Sequence, residues 1–141
     1  MNTWRLGLTA VVLALASLAP HSSNGQTEQK KAENRVFELR TYYITKGKMD
    51  AINARFRDHT TRLFQKHGME VIGYWTDSKE GTNKLIYILA HKSKAAADAS
   101  WKAFGGDPEW KKAAAESEKG GKLMEKFERV WMNPTDYSPL K

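Results

Sequence analysis

The chain has 141 residues, room for one domain and too few for two comfortable ones. It contains no cysteine, which excludes disulfides, thiolate metal sites, a cysteine nucleophile and a lipid-modified cysteine anchor. Its formal charge of +7, taken alone, suggests an acidic partner, but the basic residues are interleaved with acids, as in EKFER over 125–129, and form no run of five or six. Such a pattern describes solvated surface and argues against nucleic acid as a partner.

The N-terminus has the three-part pattern of a secretory signal. Met1 to Arg5 is short and positive, Leu6 to Ala19 is a 14-residue run without charge, and a polar stretch follows from His21. The apolar run falls short of the ~20 residues that usually span a bilayer. Residues 1–25 are therefore expected to be a signal peptide cleaved before Gln26. The mature chain is expected to be periplasmic or secreted, without stable membrane insertion. Residues 26–35 (QTEQKKAEN and Arg35) lack a core pattern and read as a flexible leader.

The domain proper is expected over 36–132. Val36 to Ile44 alternates as a strand, with Phe37, Leu39, Thr41 and Tyr43 on one side and Val36, Glu38, Arg40 and Tyr42 on the other. From Lys48, the residues Met49, Ile52, Phe56, Leu63 and Phe64 recur at helical steps, and His67-Gly68 supplies a stop. Glu70 to Thr76 is rich in β-branched and aromatic residues and reads as a second strand. The turn-rich 78–83 segment leads to a third, Lys84 to His91.

Ser93 can cap a helix bearing Ala97, Trp101 and Phe104, which Gly105-Gly106 ends. Asp107-Pro108-Glu109 restarts a helix with a capping aspartate, a first-turn proline and an acid facing the dipole. Leu123 to Met132 reads as the last strand, and 133–141 as an extended tail holding two prolines.

The order strand, helix, strand, strand, helix in two pieces, strand is the ferredoxin-like βαββαβ arrangement, an α+β fold with an antiparallel sheet. Right-handed crossovers put both helical units on one face. The second and third strands are nevertheless apolar on both sides, with Ile72 and Tyr74 set against Val71 and Trp75. One chain covers only one face, so a second copy packed sheet to sheet is expected, forming a homodimer.

Three stretches, FELRTYYITKGKMDAINARFRDHTTRLFQKHGMEVIGYW, ASWKAFGGDPEWKKAAAESE and NPTDYSPL, together spanning Val36 to about Leu140, resemble the NIPSNAP family. The resemblance implies a ferredoxin-like domain that pairs into a dimeric α+β barrel. At fold level it is similar to small cofactor-independent monooxygenases and certain isomerases and dismutases. Animal members of the family are associated with mitochondria. The resemblance supplies no catalytic residues to carry over.

Candidate pocket or interface residues follow from chemistry. Glu38, Arg40 and Tyr42 are assigned to the dimer face, where they either orient an anionic or enolic ligand or form a buried ion pair, with Glu128 or Glu38 as the partner of Arg40. His59, close to the Phe56 and Leu63 stripe, is expected to be half-buried and hydrogen-bonded. His67 at the helix end is explained by the dipole. Trp75, Trp101, Trp110 and Trp131, with Tyr74 and Tyr87, are aromatic enough to line a pocket for a planar ligand or to fill core and interface. No metal-ligand spacing, phosphate loop or nucleophile motif is present, and no cofactor is expected.

Two functions are consistent with these residues. The first is a homodimeric binding module for a small apolar or aromatic molecule or a partner protein. The second is a cofactor-independent enzyme, monooxygenase- or isomerase-like, acting on an aromatic or enolic substrate in the cleft between sheet and helices. Mass spectrometry of the protein expressed with its natural N-terminus should show loss of about the first 25 residues; an intact Met1 on soluble cytosolic protein would exclude export.

Overall fold

The computed structural model describes residues 35–79 and 81–141; the expected signal peptide and most of the leader lie outside the described residues. Strands β1 (Val36–Ile44), β2 (Glu70–Thr76), β3 (Lys84–His91) and β4 (Met124–Met132) form one sheet in the order β2-β3-β1-β4, with every neighbouring pair antiparallel. Helices α1 (Met49–Arg55), α2 (Thr61–Lys66), α3 (Lys94–Gly106) and α4 (Pro108–Ser117) pack on one face.

Local chemistry accounts for the boundaries. Gly68 takes φ +74°, closing α2 as a left-handed residue at little steric cost. The Ser93 Oγ accepts from the Ala96 N–H at the start of α3, and the Asp107 Oδ1 accepts from the Glu109 N–H at the start of α4, with Pro108 in the first turn.

The first helical unit is not a uniform α-helix. Residues Phe56–Thr60 form a π-turn between α1 and α2. Two threonine hydroxyls return to carbonyls five residues back: Thr60 Oγ1 donates to the Arg55 carbonyl at 3.2 Å, and Thr61 Oγ1 to the Phe56 carbonyl at 2.8 Å. The wider turn shifts the buried stripe by one residue, so Thr60 lies in the core at 1% exposure and His59 is turned out to solvent. The expectation of a half-buried His59 assumed unbroken 3.6-residue periodicity and is corrected by this turn.

The core is the inner side of the sheet against the helices. Ile52, Phe56, Leu63 and Phe64 from the first helical unit meet Tyr42 and Ile44 of β1, Leu85, Tyr87 and Leu89 of β3, and Phe104 and Leu123. Glu38, Arg40 and Tyr42 belong to this same inner side and are buried, which overturns their assignment to a dimer face. The expected alternation along β1 is present, with the two faces inverted. The outer side of β1 carries Phe37, Leu39, Thr41 and Tyr43, cross-strand from Ala90, Ile88, Ile86 and Lys84 of β3.

A second correction concerns β2. A bulge between Val71 and Gly73 interrupts the alternation, so Val71 and Tyr74 both pack toward the core while Trp75 stands on the outer side, 48% exposed. The Trp75 indole lies across Gly73, where an added Cβ would stand only 2.8 Å from the ring.

The outer side is therefore an apolar surface built from Leu39, Ile86, Ile88, Trp75 and Val130, the last 52% exposed. The C-terminal tail returns over one end of it. Asn133, Pro134, Thr135, Ser138 and Leu140 line, with Phe37, Ile88 and Met132, an open groove of about 280 Å³. Arg35 Nε donates to the Lys141 carbonyl at 2.5 Å, and Lys141 Nζ donates back to the carbonyls of Thr135 and Asp136.

Candidate functional site

At the centre of the inner face lies Glu38, 0% exposed. Its Oε1 accepts from Arg40 Nε at 2.8 Å, and its Oε2 accepts from Trp101 Nε1 at 2.7 Å and His91 Nε2 at 3.0 Å. An ionised carboxylate only accepts, so His91 must carry its proton on Nε2. The His91 Nδ1 is buried without a hydrogen-bond partner among the described residues, and its ring tilts against Trp131 at 5.8 Å.

Burial alone would raise the Glu38 pKa. Hydrogen bonds from His91 and Trp101, together with the Arg40 charge, outweigh it and hold the carboxyl down to about 2. Arg40 in turn lies 3.6 Å over the Trp101 ring. Its partner is Glu38, one of the two expected. Glu128 faces the other way, opposite Thr41, and accepts instead from the Tyr43 hydroxyl at 2.9 Å. The Tyr87 hydroxyl donates to that of Tyr42 at 2.8 Å, and burial pushes the Tyr87 phenol well above its usual range.

Beside this network, between the inner face and the helices, lies a cavity of about 170 Å³. Tyr42, Phe56, Phe64, Trp101, Phe104, Trp110 and Met124 form most of its wall, and Thr60, Arg55, Ala114 and Glu118 complete it. The rings lock one another: Phe104 contacts Trp110 at 4.4 Å, Phe64 at 5.0 Å and Trp101 at 5.7 Å between centroids. Phe56 separates this space from an open groove of about 370 Å³ on the β2 side, lined by Asn53, Arg57, Thr61, Tyr74 and Leu85, where the Tyr74 and Thr61 hydroxyls lie 2.9 Å apart.

The structure thus brings Tyr42 and Trp101 to the cavity, puts Glu38, Arg40 and Tyr87 in the network behind it, and leaves Tyr74 in the neighbouring groove. Trp75 is on the opposite side of the sheet, and His59 borders only a shallow surface groove between α1 and α4. His67 does more than meet a helix dipole. Its Nε2 donates to Asp107 Oδ2 at 2.7 Å beside Lys66 Nζ, also at 2.7 Å, and these hydrogen bonds, from Lys66 first, hold the Asp107 carboxyl below its usual range. The aspartate that caps α4 thereby fastens the end of the first helical unit.

Residues not singled out from sequence as site candidates are His91, Arg55, Phe104 and Met124, whereas Trp110, one of the aromatic rings expected to line a pocket or fill the core, is in the cavity wall. His91 had a signal, since it continues the parity of the buried Leu85, Tyr87 and Leu89. Among the described residues no group of three or more His, Asp or Glu side chains is placed to hold a metal ion, and no helix is long and apolar enough to cross a membrane.

A four-stranded antiparallel sheet of order β2-β3-β1-β4 with helices on one face is the ferredoxin-like α+β class. Within that class, the NIPSNAP family model matches residues 37–139, and the chain belongs to the NIPSNAP family. A NIPSNAP family protein of unknown function from Agrobacterium tumefaciens is similar at 24% identity and TM-score 0.68, over 78% of this chain and 96% of that one. A NIPSNAP-like domain protein from Burkholderia xenovorans is similar at 14% identity and TM-score 0.67, over 76% and 90%. A putative antibiotic biosynthesis monooxygenase from Nitrosomonas europaea is similar at 10% identity and TM-score 0.55, over 77% and 95%. At these identities the likeness is one of fold. No curated protein matches the chain.

The Glu38 network makes an acid-stability prediction. A carboxyl whose folded pKa is depressed adds stability that is fully present above its unfolded value, near 4.5, and is lost as pH falls through about 2. The window is worth roughly 3 kcal/mol. In Arg40→Ala, the buried carboxylate keeps His91 and Trp101 but loses its counter-charge, which should cost roughly 3–5 kcal/mol at neutral pH and move the acid loss to higher pH. Urea denaturation of both proteins from pH 7 to 2 measures this; equal stability with parallel acid limbs would show that the pair carries no such role.

Proposed function

We propose that this chain is an exported, homodimeric module that holds a small aromatic or apolar molecule in the cleft between sheet and helices. The observation that carries the reading is the 170 Å³ cavity with seven aromatic or methionine side chains in its wall. Apolar walls with a few polar groups are the usual make-up of small-molecule sites. The charge and hydropathy pattern of the N-terminus supports export.

Dimerisation is supported by the outer face of the sheet. Leu39, Ile86, Ile88, Trp75 and Val130 present a continuous apolar surface, and the tail reaches only the end near Phe37. A second copy packed sheet to sheet would remove that surface from water. Light scattering at micromolar concentration should give about twice the chain mass, and Ile88→Asp should give a folded monomer. A monomeric wild-type protein would rule out sheet pairing.

A second reading is favoured by one observation. The buried Glu38 orients His91 through Nε2 and leaves Nδ1 unpaired, the arrangement in which a carboxylate fixes an imidazole for proton transfer. With the fold-level likeness to a putative antibiotic biosynthesis monooxygenase, this suggests cofactor-independent chemistry on an aromatic or enolic substrate. Binding remains the better-supported reading, because His91 does not line the cavity.

Benzyl alcohol serves as a neutral aromatic probe of the cleft. Its titration should shift the NMR signals of Tyr42, Trp101 and Trp110 in a saturable manner. Ala114→Leu, which fills the cavity from a helical position, should remove that response while leaving the fold intact. Shifts confined to the outer face, or unchanged by Ala114→Leu, would contradict a ligand site in the cleft.

A further inference from the structure

The aromatic wall of the cavity is interrupted by one cation. Arg55 lies at the end of α1, immediately before the π-turn, and is 6% exposed. Its Nη1 makes two long contacts, 3.2 Å to Glu118 Oε1 and 3.4 Å to Ser117 Oγ. Its Nε is buried with no hydrogen-bond partner among the described residues. The guanidinium carbon lies 5.2 Å from the centroid of the Trp110 ring.

A guanidinium carries five N–H donors in a planar fork suited to a carboxylate. Leaving a buried donor unpaired is costly, and a single carboxylate at 3.2 Å on the rim compensates weakly. That carboxylate, Glu118, lies just after α4 and its side chain is 45% exposed, so water competes for it. The charge therefore has a partner that can leave it. The other requirement, a surrounding that accepts a planar ring, is met by Phe56, Trp101, Phe104 and Trp110.

We infer that Arg55 is the anion receptor of this cleft, that its ligand class is a small planar aromatic carboxylate, and that Glu118 is the internal carboxylate such a ligand displaces. The inference rests on the cleft being the binding site, and adds the charge that the ligand carries. The ring stacks within the aromatic wall, the carboxylate takes the guanidinium N–H that Glu118 now holds, and Glu118 swings out to solvent. The arrangement also provides selectivity: a neutral aromatic molecule occupies the cavity without pairing the guanidinium charge.

The test compares benzoate with benzyl alcohol by calorimetric and NMR titration of the full mature protein and two variants. Benzoate should bind roughly tenfold or more tightly than benzyl alcohol, as a charge-assisted pair implies. Glu118→Gln should strengthen benzoate binding several-fold and so widen the preference for benzoate over benzyl alcohol, because the competing charge is removed. Arg55→Lys should abolish the preference for benzoate. If that variant fails to fold, the response of Glu118→Gln decides. Equal binding of the two probes would overturn the anion receptor while leaving a neutral ligand site in place. Binding of neither would remove both readings. Weaker or unchanged benzoate binding by Glu118→Gln would show that Glu118 is a structural partner of Arg55 and not a competitor.

Discussion

The inner face of the sheet is organised around a carboxylate that has no contact with water. Glu38 is held by three donors from three different elements, Arg40 on its own strand, His91 at the end of β3 and Trp101 on α3. A buried charge is tolerated only where its lone pairs are met in good geometry, so the position of each donor is constrained by the others. Holding the Trp101 indole fixes one wall of the cavity, and Arg40 stacked upon it keeps that ring from turning. Replacing this network by apolar side chains of similar volume could leave the fold equally stable. What it would lose is the fixed placement of α3 over β1, and with it the shape of the cleft.

Much of the architecture was legible in the sequence because it rests on local rules. Strand alternation, the glycine stop at Gly68, the serine cap at Ser93 and the aspartate-proline start at Asp107 are each decided within a few residues. What was not legible depended on global choices. Alternation along β1 separates Glu38, Arg40 and Tyr42 from Phe37, Leu39 and Tyr43, but both sets contain apolar and polar groups. The polar triad is expected to face a second copy and instead faces the helices, since hydrogen bonds from β3 and α3, distant in sequence, satisfy it there. His91 went unnoticed for the same reason: its partner lies far along the chain on a different strand.

The π-turn shows a different kind of limit. An i, i+3, i+4 reading of residues 49–66 puts His59 beside Phe56 and Leu63, and any such reading does. The signal against it is the Thr60-Thr61 pair, whose hydroxyls serve the carbonyls five residues back and favour the wider turn. The consequence reaches the site directly. Arg55, Phe56 and Thr60, which flank or form the turn, all face the cavity; a regular helix would place Phe56, Thr60, Leu63 and Phe64 on one stripe but would set Arg55 about 100° from Phe56.

The two faces of the sheet thus divide the work between different kinds of residue. The outer face is apolar around Leu39, Ile86, Ile88 and Val130, with Trp75 lying across Gly73, and polar only toward Tyr43 and Glu128; the apolar part gains from any area it buries. The inner face instead combines rigid rings with a saturated carboxylate and an incompletely paired guanidinium. A saturated group gains nothing from a ligand, because every donor it needs is already present. An unsaturated one does gain, and among the described residues of the cavity wall that group is Arg55, not the Glu38 network that the eye finds first. Recognition of an anion in this cleft would therefore fall to the weaker of its two ion pairs.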